Sequence, residues 1–180
     1  MQVNSGKNKG THLFSSQELS VRPTTDKVKQ AIFNIISFMV RAGSVLDLFA
    51  GSGALGIEAL SRGFEWCDFC DIDPAWVNKN VEKCRLKDSC SVNKCDYETF
   101  LLNIAKKDKK YSLVFLDPPY HKGYVEKSLF ILCEKNLLSD GAVIVIESDS
   151  DENYKIPDGI EIAKEKCYGR IKICIGVYQQ

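Results

Sequence analysis

The sequence lacks any apolar run long enough to cross a bilayer. A membrane-spanning helix needs roughly 20 consecutive apolar residues, and the hydrophobic stretches here are much shorter. The stretch from Met1 to Lys7 also lacks the apolar segment of a secretory signal peptide. These two absences exclude a membrane-spanning class, and we expect the protein to be cytoplasmic.

The sequence also has no excess of charge of one sign. It carries 24 Lys and Arg residues against 24 Asp and Glu residues, so the composition gives no global sign of a polyanionic partner. The distribution is uneven, because residues 1–30 carry a net charge of +3 and the remaining residues −3. A basic N-terminal arm and a run of solvated lysines explain this asymmetry equally well.

The cysteines indicate neither a disulfide framework nor a metal site. The eight cysteines fall in strand-like stretches rather than in turn-rich loops, which favours reduced thiols. Cys67 and Cys70 have C-x-x-C spacing, but residues three apart in a strand face opposite sides, and no second pair follows at zinc spacing. We therefore expect no bound metal.

The pattern that is present is that of an α/β domain. The chain has 180 residues, of which 44% are hydrophobic, enough for one domain with a sizeable core. From Ser44 onward, short apolar runs alternate with longer amphipathic runs, which predicts β-α units and a mostly parallel sheet. Strands are expected at 45–49, 66–72, 90–95, 113–116 and 142–146, and helices at 54–62, 74–86, 98–107 and 125–135.

Both ends of the chain depart from this alternation. Two strand-like runs, 160–167 and 171–178, meet at Gly169-Arg170 and predict a closing antiparallel hairpin. Near the start, Thr24-Thr25-Asp26 is typical of a helix N-cap ahead of an amphipathic helix. The first 20 residues predict a hairpin or a mobile arm. We expect an arm over residues 1–22 and one globular domain over residues 23–180.

Residues 45–56 predict a strand, a glycine-rich turn and the start of a helix. Gly51, Gly53 and Gly56 satisfy G-x-G-x-x-G, and Asp71 lies twenty residues beyond Gly51, at the end of the next strand. A backbone without side chains can approach a nucleotide-like ligand closely, and a carboxylate can accept both hydroxyls of a ribose. The pattern fits NAD as well as S-adenosylmethionine (SAM). A tight strand-to-helix turn without a ligand is the structural alternative.

Two features favour SAM over NAD. Asp47 lies inside the strand before the glycine loop, where it would repel a pyrophosphate but attract the cationic amino-acid end of SAM. The strand at 113–116 delivers Asp117-Pro118-Pro119-Tyr120 at its carboxyl end, where open α/β sheets place their sites.

Asp117-Pro118-Pro119-Tyr120 suits methylation of an exocyclic amino group on a nucleic-acid base. The lone pair of such an amine is delocalised into the ring, and the Asp117 carboxylate and the Pro118 carbonyl can each accept an N–H and localise it. The prolines stiffen the turn, and Tyr120 can stack on a base that has left its helix. No cysteine is placed to attack a pyrimidine ring, which favours nitrogen as the acceptor. A plain strand-ending turn is the alternative.

Four other polar residues are weaker candidates. Asp96 can accept from the adenine amino group of SAM or cap the helix that follows it, and Asp73 can assist Asp71 or cap the next helix. His121 and Lys122 extend the Asp117–Tyr120 turn, where they contact phosphates or are simply solvated.

Three segments together resemble the bacterial small-subunit rRNA guanine-N2 methyltransferases of the RsmD type. They are Arg22-Pro23-Thr24-Thr25-Asp26 leading into Phe33-Asn34, the glycine loop with its flanks, and Asp117-Pro118-Pro119-Tyr120. The first is the specific segment, since many amine methyltransferases share the other two. The resemblance covers nearly the whole chain. It departs in the arm, which carries Lys7-Asn8-Lys9 where the family usually has more arginine.

The resemblance implies a seven-stranded Rossmann-like class I fold, SAM as the cofactor and a guanine of 16S rRNA within an assembling small subunit as the substrate. It also places residues 22–26 near the cofactor and base pockets, and we expect a monomer. The expected catalytic residues are Asp117, Pro118, Pro119 and Tyr120. The expected cofactor-binding residues are Thr24, Asp47, Phe49, Ala50, Gly51, Ser52, Gly53, Asp71, Ile72 and Asp96, and the expected substrate-binding residues are Lys7, Lys9, Arg22, His121 and Lys122.

Three other functions are compatible with parts of this pattern. A DNA adenine-N6 or cytosine-N4 methyltransferase uses similar turns, but the chain shows no separate target-recognition domain. An NAD-linked oxidoreductase explains the glycine loop and Asp71 but gives no role to Asp117–Tyr120. A non-catalytic RNA-binding module predicts an RNA affinity that is indifferent to Asp117.

Overall fold

The computed structural model describes residues 1–15 and 26–180. The helices are α1 (Asp26–Ile36), α2 (Ala54–Ser61), α3 (Ala75–Lys83), α4 (Tyr97–Ile104) and α5 (Tyr124–Glu134). The strands are β1 (Ser44–Asp47), β2 (Trp66–Asp71), β3 (Cys90–Lys94), β4 (Tyr111–Leu116), β5 (Leu138–Asp149), β6 (Ile160–Tyr168) and β7 (Ile171–Tyr178). No helix among these is long and apolar enough to cross a bilayer.

The described strands form one seven-stranded sheet in the order β3-β2-β1-β4-β5-β7-β6. The first five strands of that order run parallel, and β7 pairs antiparallel with both β5 and β6. β1 lies between β2 and β4, so the direction of winding reverses there, and ligands of open α/β sheets bind at such a reversal. The predicted parallel core and the closing hairpin are both confirmed.

Helices cover both faces of the sheet. Side chains of α1, α2 and α3 pack on one face, and those of α4 and α5 pack on the other. Cys67 packs on the face covered by α1, α2 and α3, and Cys70 packs on the face covered by α4 and α5. The two thiols of the C-x-x-C therefore lie on opposite faces. All eight cysteines are free, as predicted.

Element boundaries differ from the prediction where backbone conformation intervenes. The helix predicted over 74–86 ends at Lys83, because Arg85 adopts a positive φ of 55° that no helix can contain. β5 starts at Leu138 rather than 142, since Tyr111 pairs with Leu138 before the register shifts.

The first 15 residues form a hairpin that packs on the domain. Gln2 and His12 form an antiparallel bridge, and Val3 and Leu13 are buried in the core. At the tip, Gly6 lies against the carboxyl end of α2, where the Lys7 N–H donates to the Ser61 carbonyl at 2.9 Å. Of the two arm predictions, the hairpin is therefore correct for these residues. The predicted boundary at residue 22 lies outside the described residues and stays a prediction.

A buried ion pair attaches the hairpin to two helices. Lys29 of α1 and Glu58 of α2 are both fully buried, with Nζ 3.1 Å from Oε2. Glu58 also accepts from the Asn4 N–H at 2.7 Å and from Arg62 Nε at 2.7 Å, and Lys29 donates to the Gln2 carbonyl. Lys29 therefore contributes no exposed positive charge to the arm, although the sequence places it in the basic N-terminal stretch.

We expect Gly6→Ala to destabilise the protein more than Gly10→Ala. Both glycines have a positive φ, but a Cβ on Gly6 would lie 1.7 Å from the Ser61 carbonyl oxygen, whereas one on Gly10 would meet no atom within 4 Å. The expected losses in unfolding free energy are about 2–5 kcal/mol for Gly6→Ala and about 1–2 kcal/mol for Gly10→Ala. Urea unfolding of both variants measures this, and equal losses would show that the hairpin tip is not packed on α2.

Candidate active site

The glycine loop follows β1 and is held by the carboxylate of Asp47. Asp47 is buried, and its Oδ2 accepts from the Gly56 N–H at 3.0 Å in the first turn of α2. A Cβ on Gly56 would lie 2.3 Å from the Phe69 ring, so the third glycine of the motif lets α2 pack closely on β2. The loop is thus a fixed structure, with one acid beneath it.

Asp71, at the end of β2, holds the other side of the same loop. Its Oδ2 accepts from the Gly51 N–H at 2.7 Å, and its Oδ1 accepts from the Asp73 N–H at 2.8 Å. A carboxylate oxygen has two lone pairs, so each oxygen can accept a further hydrogen bond, for example from a ribose hydroxyl. The next side chain, Ile72, is 74% exposed, which leaves an apolar surface beside the acid.

Asp96 caps helix α4, as one of its two interpretations predicts. Its Oδ1 accepts from the Thr99 N–H at 2.9 Å, and this bond lowers the pKa of Asp96. The residue is nevertheless exposed at the carboxyl end of β3. Asp96 therefore caps α4 and is still accessible at the edge of the sheet that carries the glycine loop.

An aromatic cluster stands beside Asp96, and only one of its members was expected there. The ring centroid of Phe49 lies 5.3 Å from that of Tyr97 and 6.1 Å from that of Tyr124, with the last pair stacked. Tyr97 and Tyr124 are 5.1 Å apart. The three rings come from the segments after β1, β3 and β4, so they converge only in the folded sheet. The sequence signal for such a cluster is an aromatic residue directly after an acid that follows a strand, as in Asp96-Tyr97.

Asp117-Pro118-Pro119-Tyr120 lies at the carboxyl end of β4, next to the end of β1. Asp47 pairs with Phe115 in register, so the turn starts two residues beyond the level of Asp47 on the adjacent strand. Asp117 is partly buried, Pro118 is buried and Pro119 is exposed. The carboxylate and the glycine loop therefore share one edge of the sheet.

Tyr120 is held by a carboxylate that was not among the site residues predicted from the sequence. Its hydroxyl donates to Glu147 Oε1 at 3.2 Å, and Glu147 is only 2% exposed. Burial and the nearby Glu147 carboxylate, with Asp117 adding to them, raise the pKa of Tyr120 well above its ordinary value. Leu116 pairs with Ile146, so Asp117 and Glu147 occupy the next positions of adjacent strands. The sequence signal for this carboxylate was an acid, Glu147, directly after the aliphatic run Val143–Ile146.

The environment of His121 is acidic. Its backbone N–H donates to Glu152 Oε1 at 3.0 Å. Its ring Nε2 lies 3.8 Å from Asp149 Oδ2 and 3.5 Å from Asp151 Oδ1. The side chains of His121, Asp149 and Asp151 place possible metal-ligand atoms within 4.8 Å of one another. However, His121 and Asp151 are exposed, and Arg170 pairs with Asp149 at 3.0 Å. Acidic neighbours disfavour the phosphate contact expected of His121.

The carboxyl edge of the sheet gathers most of the expected site residues. Asp47, Asp71, Asp96 and Asp117 end or follow β1, β2, β3 and β4, which are adjacent parallel strands. Arg22 and Thr24 fall outside the described residues.

Lys7 and Lys9 lie away from that edge. The hairpin tip contacts Ser61 at the end of α2, whereas the glycine loop lies at the start of α2. An eight-residue helix is about 12 Å long, so the backbone of the hairpin tip at Ser61 lies about one helix length from the loop.

Asp47 makes the stability of the fold sensitive to pH. Burial raises the pKa of Asp47 to about 7, the Gly56 N–H opposes this, and the charge of Asp71 adds to it. The folded state therefore keeps a proton that the unfolded state releases near pH 4. Stability should fall as pH rises from about 4 to about 7, by up to about 1.4 kcal/mol per pH unit.

We expect Asp47→Asn to abolish this component, because the amide has no such proton and its oxygen still accepts from the Gly56 N–H. The difference in unfolding free energy between variant and wild type should shift toward the variant between about pH 4 and about pH 7, and stay constant at higher pH. Urea unfolding across this range measures it. A difference that does not change with pH would show that Asp47 is already ionised in the folded state.

Comparisons with known proteins agree with this geometry. A family model described as Conserved hypothetical protein 95 matches residues 1–177. The putative rRNA methyltransferase YlbH of Bacillus subtilis is 39% identical over 181 residues, covering 97% of each chain. The ribosomal RNA small subunit methyltransferase D of Escherichia coli K12 is 31% identical over 175 residues, covering 95% of this chain and 86% of the relative.

Likeness in three dimensions extends over the same length. A solved structure described as the putative methyltransferase yhhF from Escherichia coli has a TM-score of 0.84 at 28% identity, and the match covers 99% of this chain and 98% of that one. With sequence and fold matched almost from end to end, the chain belongs to the family described as Conserved hypothetical protein 95 and has the Rossmann-like fold of the SAM-dependent methyltransferases.

Proposed function

We propose that the protein transfers a methyl group from SAM to the exocyclic N2 of a guanine in 16S rRNA, acting in the cytoplasm as a monomer on an assembling small subunit. The observation that carries the proposal is the position of Asp117–Tyr120 beside the glycine loop, on the adjacent strand of the sheet. Two relatives matched along most of the chain are named as rRNA methyltransferases, one of them of the small subunit. They support RNA rather than DNA as the substrate.

The residues at the carboxyl edge fit SAM. Asp71 offers acceptors for a ribose diol, exposed Ile72 offers an apolar surface for adenine, and the buried Asp47 carboxyl, once it ionises near pH 7, offers a negative charge beneath the glycine loop. A dinucleotide fits less well, because the Asp117 carboxylate lies on the adjacent strand beside the glycine loop, where it would repel a pyrophosphate. The rings of Phe49 and Tyr97 enclose the same edge. We assign Phe49, Ala50, Gly51, Ser52, Gly53 and Asp96 to this pocket as well. The cofactor supplies an electrophilic methyl on a sulfonium.

The chain's own residues prepare the amine. Asp117 and the Pro118 carbonyl accept its two N–H groups, which localises the lone pair on nitrogen and fixes its direction. As the C–N bond to the transferred methyl forms and its bond to sulfur breaks, positive charge develops on that nitrogen, and the Asp117 carboxylate stabilises it and then accepts the released proton. Tyr120, held through its hydroxyl by Glu147, presents its ring as a wall on which the base stacks.

Asp117→Asn tests this role. The amide keeps the size of the side chain but loses the charge, so we expect methyl transfer to slow by about 100-fold or more while SAM affinity changes little. The measurement is single-turnover transfer of labelled methyl to small-subunit particles from cells that lack the gene, beside SAM titration by calorimetry. Asp88→Asn, an exposed acid before β3 at the opposite edge, is the control.

The product of the same assay tests the substrate. Mapping the methyl group in the rRNA should place it on N2 of a single guanine. Wild-type rates in Asp117→Asn would refute the catalytic role of this carboxylate. A methyl group on another base, or tight binding of NAD without binding of SAM, would refute the proposed function.

Tyr120→Phe and Tyr120→Ala should separate the hydroxyl from the ring. Phenylalanine retains stacking but leaves the buried Glu147 without one donor, so we expect a loss of about 1 kcal/mol in stability and little change in RNA affinity. Alanine also removes the ring, which should weaken substrate binding by about 1–3 kcal/mol. Urea unfolding and the KM for small-subunit particles measure the two effects. Equal RNA affinity in both variants would mean that Tyr120 does not stack on the substrate.

A further inference from the structure

Helix α3 presents aromatic and basic side chains on its exposed face. Its buried residues are Val77, Asn80 and Val81, whereas Lys79 and Lys83 are exposed and Trp76 is partly exposed. Positions 76, 79 and 83 are spaced by three and four, so they form one stripe along the helix. The expected site residues do not include this stripe.

Each lysine of the stripe lies over an aromatic ring. Lys79 Nζ is 4.5 Å from the ring centroid of Trp76, and Lys83 Nζ is 4.3 Å from that of Phe14 in the hairpin. The one acid of α3, Glu82 near the carboxyl end of the helix, pairs with Lys87 at 2.8 Å. Within residues 1–15 and 26–180, neither Lys79 nor Lys83 has a carboxylate within ion-pair distance. Their charge is therefore available to an anionic partner.

The stripe connects the candidate active site with the hairpin tip. α3 begins just after Asp71–Asp73 at the carboxyl edge, and near its end the Cys84 carbonyl accepts from Asn8 Nδ2 at 2.9 Å. Its nine residues span about 14 Å. Asn8 lies between Lys7 and Lys9 in the chain, so α3 extends from the carboxyl edge to the hairpin tip that carries both lysines.

Asn80 fixes this flank to the glycine loop. Its Nδ2 donates to the carbonyls of Phe14 and Ser52, both at 2.8 Å, and its Oδ1 accepts from the Phe14 N–H at 2.7 Å. Phe14 is therefore held in place although 45% of it is exposed. A rigid exposed ring beside an ammonium is a suitable platform for a nucleobase.

We infer that the exposed face of α3, together with Phe14, binds the RNA strand that adjoins the target nucleotide and leads it toward Lys7 and Lys9. The inference rests on the proposed function. Asp71, Asp73 and Asp96 are accessible acids that end or follow β2 and β3 at the carboxyl edge, so a phosphate backbone leaving the site is repelled there and is attracted to the basic flank. Bases stack on Trp76 and Phe14 once the flexible side chains of Lys79 and Lys83 turn from these rings to phosphates, the pattern of surfaces that bind single strands. A protein partner would favour a broader apolar patch than two rings flanked by ammonium groups.

The double variant Lys79→Gln/Lys83→Gln tests the inference. Its matched control is Lys106→Gln/Lys107→Gln, which removes two exposed lysines from the turn after α4, on the other face of the sheet. The probes are an in-vitro transcript of the small-subunit rRNA and small-subunit particles lacking the methyl group. Binding is measured over a range of salt concentrations, and methyl transfer and SAM affinity are measured in parallel.

We expect the α3 variant to lose about two units of slope in the dependence of transcript affinity on salt, one per phosphate contact, while the control retains the wild-type slope. The KM for particles should rise about 10- to 100-fold with kcat and SAM affinity nearly unchanged. Trp76→Leu, which keeps an apolar side chain in the partly buried position, should lower RNA affinity about 5- to 150-fold without changing the slope.

The outcomes separate this inference from the proposed function. If the wild type methylates rRNA and the α3 and control variants behave alike, the inference is wrong and the proposed function stands. If the α3 variant loses affinity for particles but not for the transcript, the face contacts a ribosomal protein, which also overturns the inference. If the wild type transfers no methyl to rRNA, the proposed function fails, and the inference fails with it.

Discussion

The Glu58 carboxylate determines how the first third of the chain is assembled. It is fully buried, and it binds the Asn4 N–H of the hairpin, Lys29 of α1 and Arg62 after α2. Burying both charges carries a desolvation cost, and removing one partner of such a pair typically costs about 3–5 kcal/mol, because the other charge stays buried. The hairpin, α1 and α2 therefore keep their mutual positions together or lose them together.

The candidate site has an uneven distribution of charge. Carboxylates at the ends of five neighbouring parallel strands or just beyond them gather on one edge, which suits a cationic cofactor and the N–H donors of a base. The same edge is unsuited to phosphate. Lys79 and Lys83 lie on the flank formed by α3 and the hairpin, so the surface proposed for chemistry is separate from the surface inferred to bind an RNA backbone.

The parallel sheet, its closing hairpin and the edge that carries the site could be predicted from sequence because they depend on local signals. Alternating apolar and amphipathic runs predict β-α units, and in a parallel sheet every strand ends at the same edge, so the glycine loop, Asp71 and Asp117 were expected at one edge. The strand order, which makes β1 the neighbour of both β2 and β4, depends on long-range pairing and was not predicted. The residues that were missed depend on long-range contacts. Glu147 acts on Tyr120 across two strands, and Tyr97 and Tyr124 meet Phe49 only after three segments converge. Lys29 looks like part of a basic arm until the fold places it beside Glu58, since counting charge along a chain cannot show which charges are neutralised inside.

Asn80 has a consequence for the energetics of ligand binding. A side-chain amide can donate to two carbonyls and accept from one N–H at the same time, and Asn80 does all three, to Phe14 on one side and Ser52 on the other. An aspartate of the same shape would face both carbonyls with an acceptor. The hairpin and the glycine loop therefore share one hydrogen-bonding group, so a displacement of Phe14 also disturbs the hydrogen bond that Asn80 donates to Ser52. If the RNA strand inferred at Phe14 and the SAM proposed at the glycine loop both favour this position of Asn80, each increases the affinity for the other by the same factor.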